Sequence, residues 1–153
     1  MSMLDRSRRP ATTDGPVNVL LVEDNPLDAR STLRAARKLE LADRVDVVAD
    51  GQAALDRLRE AHADGEPVGL LLLDLNLPGK DGHDVLRELR ADPDLQTTPV
   101  VILTSSVEQS DVNGAYQHGA NAYVNKPTGL DGWLEAMATI REFWLSLAIL
   151  PGR

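Results

Sequence analysis

The stretch Leu70-Leu71-Leu72-Leu73-Asp74-Leu75-Asn76 decides how the chain is read. Four consecutive leucines do not alternate as a half-exposed strand would. They suit a strand covered on both faces, which is how strands of a parallel sheet lie. An aspartate directly after such a strand sits at its carboxyl end, where open α/β sheets place their ligands.

Working outward, the same strand-then-helix unit recurs. An apolar run at Val17 to Val22 precedes a helical stretch from Pro26 to about Leu39, and Val45 to Ala49 precedes one from about Gln52 to Ala61. After the leucines come a helix near His83 to Arg90, a strand at Val100 to Leu103 and a helix near Val107 to His118. A strand at Ala122 to Val124 and a helix from Gly129 to about Trp144 complete five repeats. The expected fold is α/β, a doubly wound five-stranded parallel sheet of the flavodoxin-like type with strand order 2-1-3-4-5. Asn25-Pro26 reads as an N-cap with proline at the first helical position, Thr128 to Asp131 as a short capping box, and Gly119 as the end of the fourth helix.

Residues 1-16 carry no periodicity and are expected to be a tail, 17-146 the folded domain, and 147-153 an apolar C-terminal extension. The 153 residues hold 16 Lys plus Arg against 24 Asp plus Glu, a formal charge of -8. Such a field repels phosphate backbones and anionic headgroups, so nucleic acid and membrane surfaces are not expected partners. The absence of cysteine excludes thiolate chemistry and disulfides, leaving oxygen and nitrogen groups in a cytoplasmic protein.

Reading the residue after each strand assembles a candidate site. Glu23 and Asp24 follow the first strand, Asp74 and Asn76 the third, Thr104 the fourth and Lys126 the fifth. Each alone has an ordinary reading as a helix cap, a turn residue or a surface lysine. Together, three crowded carboxylates call for a cation, and their hard oxygens suit Mg²⁺. A carboxylate is a competent nucleophile toward phosphorus, and Lys126 and Thr104 can neutralise the transferred oxygens.

The motifs Val22-Glu23-Asp24-Asn25-Pro26, Leu73 to Gly82, Leu103-Thr104-Ser105 and Tyr123-Val124-Asn125-Lys126-Pro127 resemble the receiver domain of two-component response regulators. The resemblance covers about Val17 to Trp144. It implies that Asp74 takes a phosphoryl group from a sensor histidine kinase and that Asp24, Glu23 through water, Asp74 and the Asn76 carbonyl hold Mg²⁺. It also implies that Lys126 meets the phosphoryl oxygens, that Thr104 and Tyr123 form a switch pair, and that Lys126-Pro127 is a cis peptide.

The C-terminal stretch Ile140 to Pro151 is similar to that of regulators paired with phytochrome-type kinases. With no composition shift after Lys126, no DNA-binding output domain is expected, and the signal would leave through a protein contact. All five aromatics, Tyr116, Tyr123, Trp133, Phe143 and Trp144, lie in the last two repeats. With Leu130, Leu134, Met137 and Ile140 facing the sheet, Tyr116, Trp133, Phe143, Trp144 and Leu147 are the candidate interface of a homodimer on the fourth helix, fifth strand and fifth helix. The opposing possibility is that the tail folds back on its own core.

Two other functions share parts of this pattern. A phosphatase of the haloacid-dehalogenase type uses a nucleophilic Asp with Mg²⁺, but places a second Asp two positions on, where this chain has Asn76. A pseudo-receiver would keep the fold without taking phosphate. No metabolic turnover is expected from either the motifs or the resemblance.

Overall fold

The computed structural model describes residues 17-151; the expected tail, residues 1-16, lies outside them. The strands are β1 (Asn18–Val22), β2 (Arg44–Val48), β3 (Leu70–Leu73), β4 (Val100–Thr104) and β5 (Ala122–Asn125). They alternate with α1 (Pro26–Lys38), α2 (Gly51–Ala63), α3 (Gly82–Ala91), α4 (Gln109–Gln117) and α5 (Gly129–Glu142). All pairings are parallel, in the order β2-β1-β3-β4-β5, the expected flavodoxin-like topology.

The leucine run explains the two-layered core. Leu71 and Leu73 enter one cluster with Leu55 and Leu58 of α2, Leu86 and Leu89 of α3 and Ala115 of α4. Leu70 and Leu72 enter the other, with Ala35 and Ala36 of α1 and Met137 and Ile140 of α5. Period-2 alternation thus places successive leucines in opposite cores, and burial of each stabilises the fold by roughly 1.5–3 kcal/mol. At the sheet edge β2 carries Arg44 and Asp46, and Asp46 pairs with Arg44 at 2.9 Å and with Arg57 at 3.1 Å. Charged side chains on an edge strand discourage further strand pairing.

The helix punctuation follows the sequence in part. Asn25 caps α1, accepting from the Leu27 and Asp28 amides at 3.0 and 3.1 Å, with Pro26 at the first helical position. Gly119, at φ 105°, follows α4 as expected. The capping box expected at Thr128 is not formed: the Thr128 hydroxyl makes no cap bond, because Gly129 enters α5 at φ 74° and turns the chain away from the first-turn amides. A reciprocal box forms instead at α3, where Asp81 accepts from the Asp84 amide and Asp84 from the Asp81 amide.

The apolar face of α5 also differs from the expectation. Trp133, expected at an interface, is 5% exposed and packs in the core with Met137 and Ile140, whereas Leu130 is 43% exposed. Trp133 lies three positions from Leu130 on the same helical face, and the indole takes the inner position because it buries far more apolar area. Beyond α5, residues Phe143–Leu147 form a π-helical turn. Leu145 and Leu150 return into the core and Trp144 packs partly against it, while Phe143, Leu147 and Ile149 face outward. The Arg141 guanidinium donates to the Leu39 carbonyl at 2.8 Å, fastening the end of α5 to the end of α1.

Candidate phosphoacceptor site

Sheet order reverses between β1 and β3, so the helices leaving these two strands go to opposite faces and open a crevice at their carboxyl ends. The residues predicted from strand ends converge there. Asp74 is 4% exposed, and its amide donates to the Val22 carbonyl at 3.1 Å, holding the start of the β3–α3 loop against β1. Gly82 closes this loop by donating from its amide to the Leu75 carbonyl at 2.9 Å. A Cβ on Gly82 would lie 2.6 Å from the Asp74 carbonyl oxygen and 2.7 Å from Leu75 Cα, so only glycine allows this close approach beside the acceptor.

Lys126 is the electrostatic centre. Its Nζ lies 2.6 Å from Glu23, 2.8 Å from Asp28 and 2.9 Å from Asp74. The Lys126 amide donates to the Thr104 carbonyl at 2.8 Å, which anchors the residue across β4 and β5. Burial alone would make the ammonium easier to deprotonate, but its bonds to Asp28, Glu23 and Asp74 outweigh that and hold its pKa above the ordinary lysine value. The peptide between Lys126 and Pro127 is trans, correcting the cis expectation. Trans is the favoured isomer even before proline, and from it the ammonium already reaches all three acids.

Glu23 is almost wholly buried, and burial pushes its carboxyl from 4.5 up to about 7 against the pull of Lys126 and of the Asn25 amide. The Asn25 amide donates to Glu23 at 3.1 Å. Asp24 is exposed at the mouth of the crevice. One oxygen each of Glu23, Asp24 and Asp74 lies within 4.8 Å of the other two, a set of hard oxygens suited to a small divalent cation. The Asn76 amide donates to Asp74 Oδ1 at 3.3 Å, placing its backbone beside that cluster.

Thr104 is fully buried at the end of β4, and its hydroxyl accepts a long 3.5 Å bond from the Ser106 amide. Tyr123 lies beside Ile102 on β5, partly buried, and its hydroxyl donates to the Ser106 carbonyl at 2.8 Å. Burial raises the pKa of that phenol, which stays a donor. The two switch candidates thus meet at Ser106, one through its amide and one through its carbonyl.

Two features escaped the strand-end reading. Asp28 comes from the first turn of α1, and its position four residues after Asp24 was the available signal. The second is a chain beside the β4–α4 loop: Ser106 Oγ donates to Asp111 at 2.6 Å, and Asp111 meets His83 Nε2 at 3.3 Å. The Ser106 bond, followed by that of His83, keeps the Asp111 carboxyl below its usual range.

Fold and site together define an α/β domain that holds a buried carboxylate against an ammonium at the switch point of its sheet. The response regulator receiver domain family matches residues 19–138, and the chain belongs to that family. It is therefore a phosphoryl-accepting regulator of the two-component type. The probable methanogenesis regulatory protein FilR2 of Methanothrix harundinacea is 37% identical over 140 residues, covering 91% of this chain and 90% of that protein. Response regulator Rcp1 of Synechocystis is 36% identical over 138 residues, covering 89% and 94%. The Mn²⁺-bound structure of Rcp1 superposes with a TM-score of 0.78 at 37% identity, over 90% of this chain and 100% of that one. The phosphorylated cyanobacterial phytochrome response regulator RcpA does so at 0.83 and 38%, with the same coverage. The chain is similar over nearly its whole length to these regulators, of which RcpA is a phytochrome response regulator. Among the described residues no helix is long and apolar enough to cross a membrane.

Proposed function

We propose that Asp74 accepts a phosphoryl group from the phosphohistidine of a sensor kinase of the phytochrome type, and that Mg²⁺ is the cation of the site. The observation that carries this reading is the placement of buried Asp74 2.9 Å from the Lys126 ammonium, within 4.8 Å of the Glu23 and Asp24 oxygens. An Asp74 carboxylate oxygen forms the new P–O bond as the P–N bond of the phosphohistidine breaks, and the imidazole leaves with a proton. Lys126 receives the charge that builds on the equatorial oxygens, and the Thr104 hydroxyl at the end of β4 supplies a further donor. Mg²⁺ held by Glu23, Asp24, Asp74 and the Asn76 carbonyl would supply the remaining positive charge.

The test is incubation with a small phosphodonor and Mg²⁺. A single adduct of roughly 80 Da, the mass of PO₃H, is expected, stable to mild acid and lost in base. No adduct, with no Mg²⁺ binding, would favour a pseudo-receiver. We also read the protein as a non-metabolic regulator, because Asn76 offers no general acid where a haloacid-dehalogenase phosphatase needs one. Steady turnover of a generic phosphomonoester would reverse that reading.

With Trp133 in the core, the proposed dimer surface reduces to Tyr116 on α4 and to Phe143 and Leu147 after α5, with Ile149 added; each is at least 49% exposed. Trp144, partly buried against its own core, contributes only its rim. Sedimentation equilibrium is expected to show association that weakens when Phe143 and Leu147 are changed to Ser. A monomer at high concentration, with and without phosphorylation, would exclude the dimer.

A further inference from the structure

An ammonium has three protons to donate, and Lys126 faces three carboxylates at hydrogen-bond distance: Glu23 at 2.6 Å, Asp28 at 2.8 Å and Asp74 at 2.9 Å. Two of these acids have other tasks. Asp74 is the acceptor and Glu23 belongs to the metal cluster. Asp28 is in neither group, yet it holds as short a contact to Lys126 as the acceptor does. Its side chain is 32% exposed, against 2% for Glu23, so it is the one partner able to turn into water.

We propose that Asp28 is a positioning residue that competes with phosphoryl oxygens for Lys126 and so lowers the phosphorylated fraction. The inference rests on the reading of Asp74 as acceptor. A phosphoryl group on Asp74 adds negative oxygens that need the Lys126 protons. Whatever share of the ammonium Asp28 keeps is withheld from them, and its own charge repels the new anion across the same few ångströms. Asp28 is fixed for this role by α1: Asn25 caps the helix through the Asp28 amide, and the Asp28 carbonyl accepts from the Thr32 hydroxyl at 2.7 Å. These bonds use the backbone of Asp28 and leave its carboxylate free to meet Lys126.

The test compares wild type with Asp28→Asn, Asp28→Ser and Asp28→Glu, using a small phosphodonor with Mg²⁺ and, separately, beryllofluoride as a phosphoryl mimic. Asp28→Asn and Asp28→Ser are expected to raise the phosphorylated-to-free ratio at steady state and to tighten beryllofluoride binding by about threefold to tenfold, the scale of a partly exposed charge pair. Asp28→Glu is expected to stay near wild type. A purely structural role would lower melting temperature without tightening the mimic. Unchanged or weaker binding in both neutral variants, with wild type phosphorylated normally, would overturn the proposal for Asp28 alone. A wild-type protein that takes neither phosphoryl group nor mimic would instead overturn the reading of Asp74.

Discussion

Asp74→Asn is expected to remove phosphorylation entirely while leaving a folded protein of at least wild-type stability. The loss follows from the chemistry of the group. A carboxamide oxygen is a poor nucleophile toward phosphorus, and neither other acid of the cluster is placed to substitute: Glu23 is buried and bonded to Lys126 at 2.6 Å, and the ammonium reaches Asp74 rather than the exposed Asp24. The stability follows from the electrostatics. Asp74 contributes to raising the Glu23 pKa, so a neutral side chain of the same shape relieves like-charge repulsion in a buried place. It removes one contact of Lys126, but two carboxylates remain to hold the ammonium. Mass spectrometry of the variant after treatment with phosphodonor and Mg²⁺, beside its melting temperature, checks both halves. An adduct of the wild-type mass on Asp74→Asn would place the acceptor elsewhere.

The sequence was most legible where one physical rule had one solution. Leu70 to Leu73 suit an inner parallel strand buried on both faces, and from that strand the site follows: Asp74, Glu23, Asp24, Thr104 and Lys126 all lie at or just beyond strand carboxyl ends. The rule sees strand ends only. Asp28 escaped it because it reaches the crevice from a helix, through the register that Asn25 and Pro26 impose on the first turn. Trp133 was misplaced for a different reason. Leu130, Trp133, Leu134 and Met137 share one helical face, and which of them lies innermost depends on how much volume the sheet leaves to be filled. Hydrophobic spacing along α5 does not carry that information. The tail folds back on its own core only in part, since Leu145 and Leu150 are buried while Phe143 and Leu147 face outward.

Lys126→Ala is expected to cost about 3–5 kcal/mol of stability in metal-free protein, because it leaves buried carboxylates without their counter-charge. Glu23 and Asp74 expose 2% and 5% of their side chains in these pairs, so water cannot take over from the ammonium; Asp28, one-third exposed, can be rehydrated and adds little. The cost has a definite pH dependence. Glu23 already titrates at about 7 in the fold against an ordinary 4.5, and removing Lys126 removes a bond that lowers it. Between those values the folded protein holds a proton that the unfolded chain has lost, so stability is greater at the acid end and falls as pH rises through about 7. In the variant this decline should extend to higher pH. A cation acts in the opposite direction to the deletion: Mg²⁺ added to Lys126→Ala should recover part of the lost stability, and more of it than Mg²⁺ adds to wild type, since only the variant has the whole acidic cluster uncompensated. Urea unfolding at pH 5.5 and pH 8, each with and without Mg²⁺, reads all of these effects. A variant as stable as wild type at pH 8 without metal would mean that Lys126 does not neutralise the cluster. The pairing of one ammonium with three acids would then be a contact without energetic consequence, and the neutralisation assigned to Lys126 in phosphoryl transfer would lose its support.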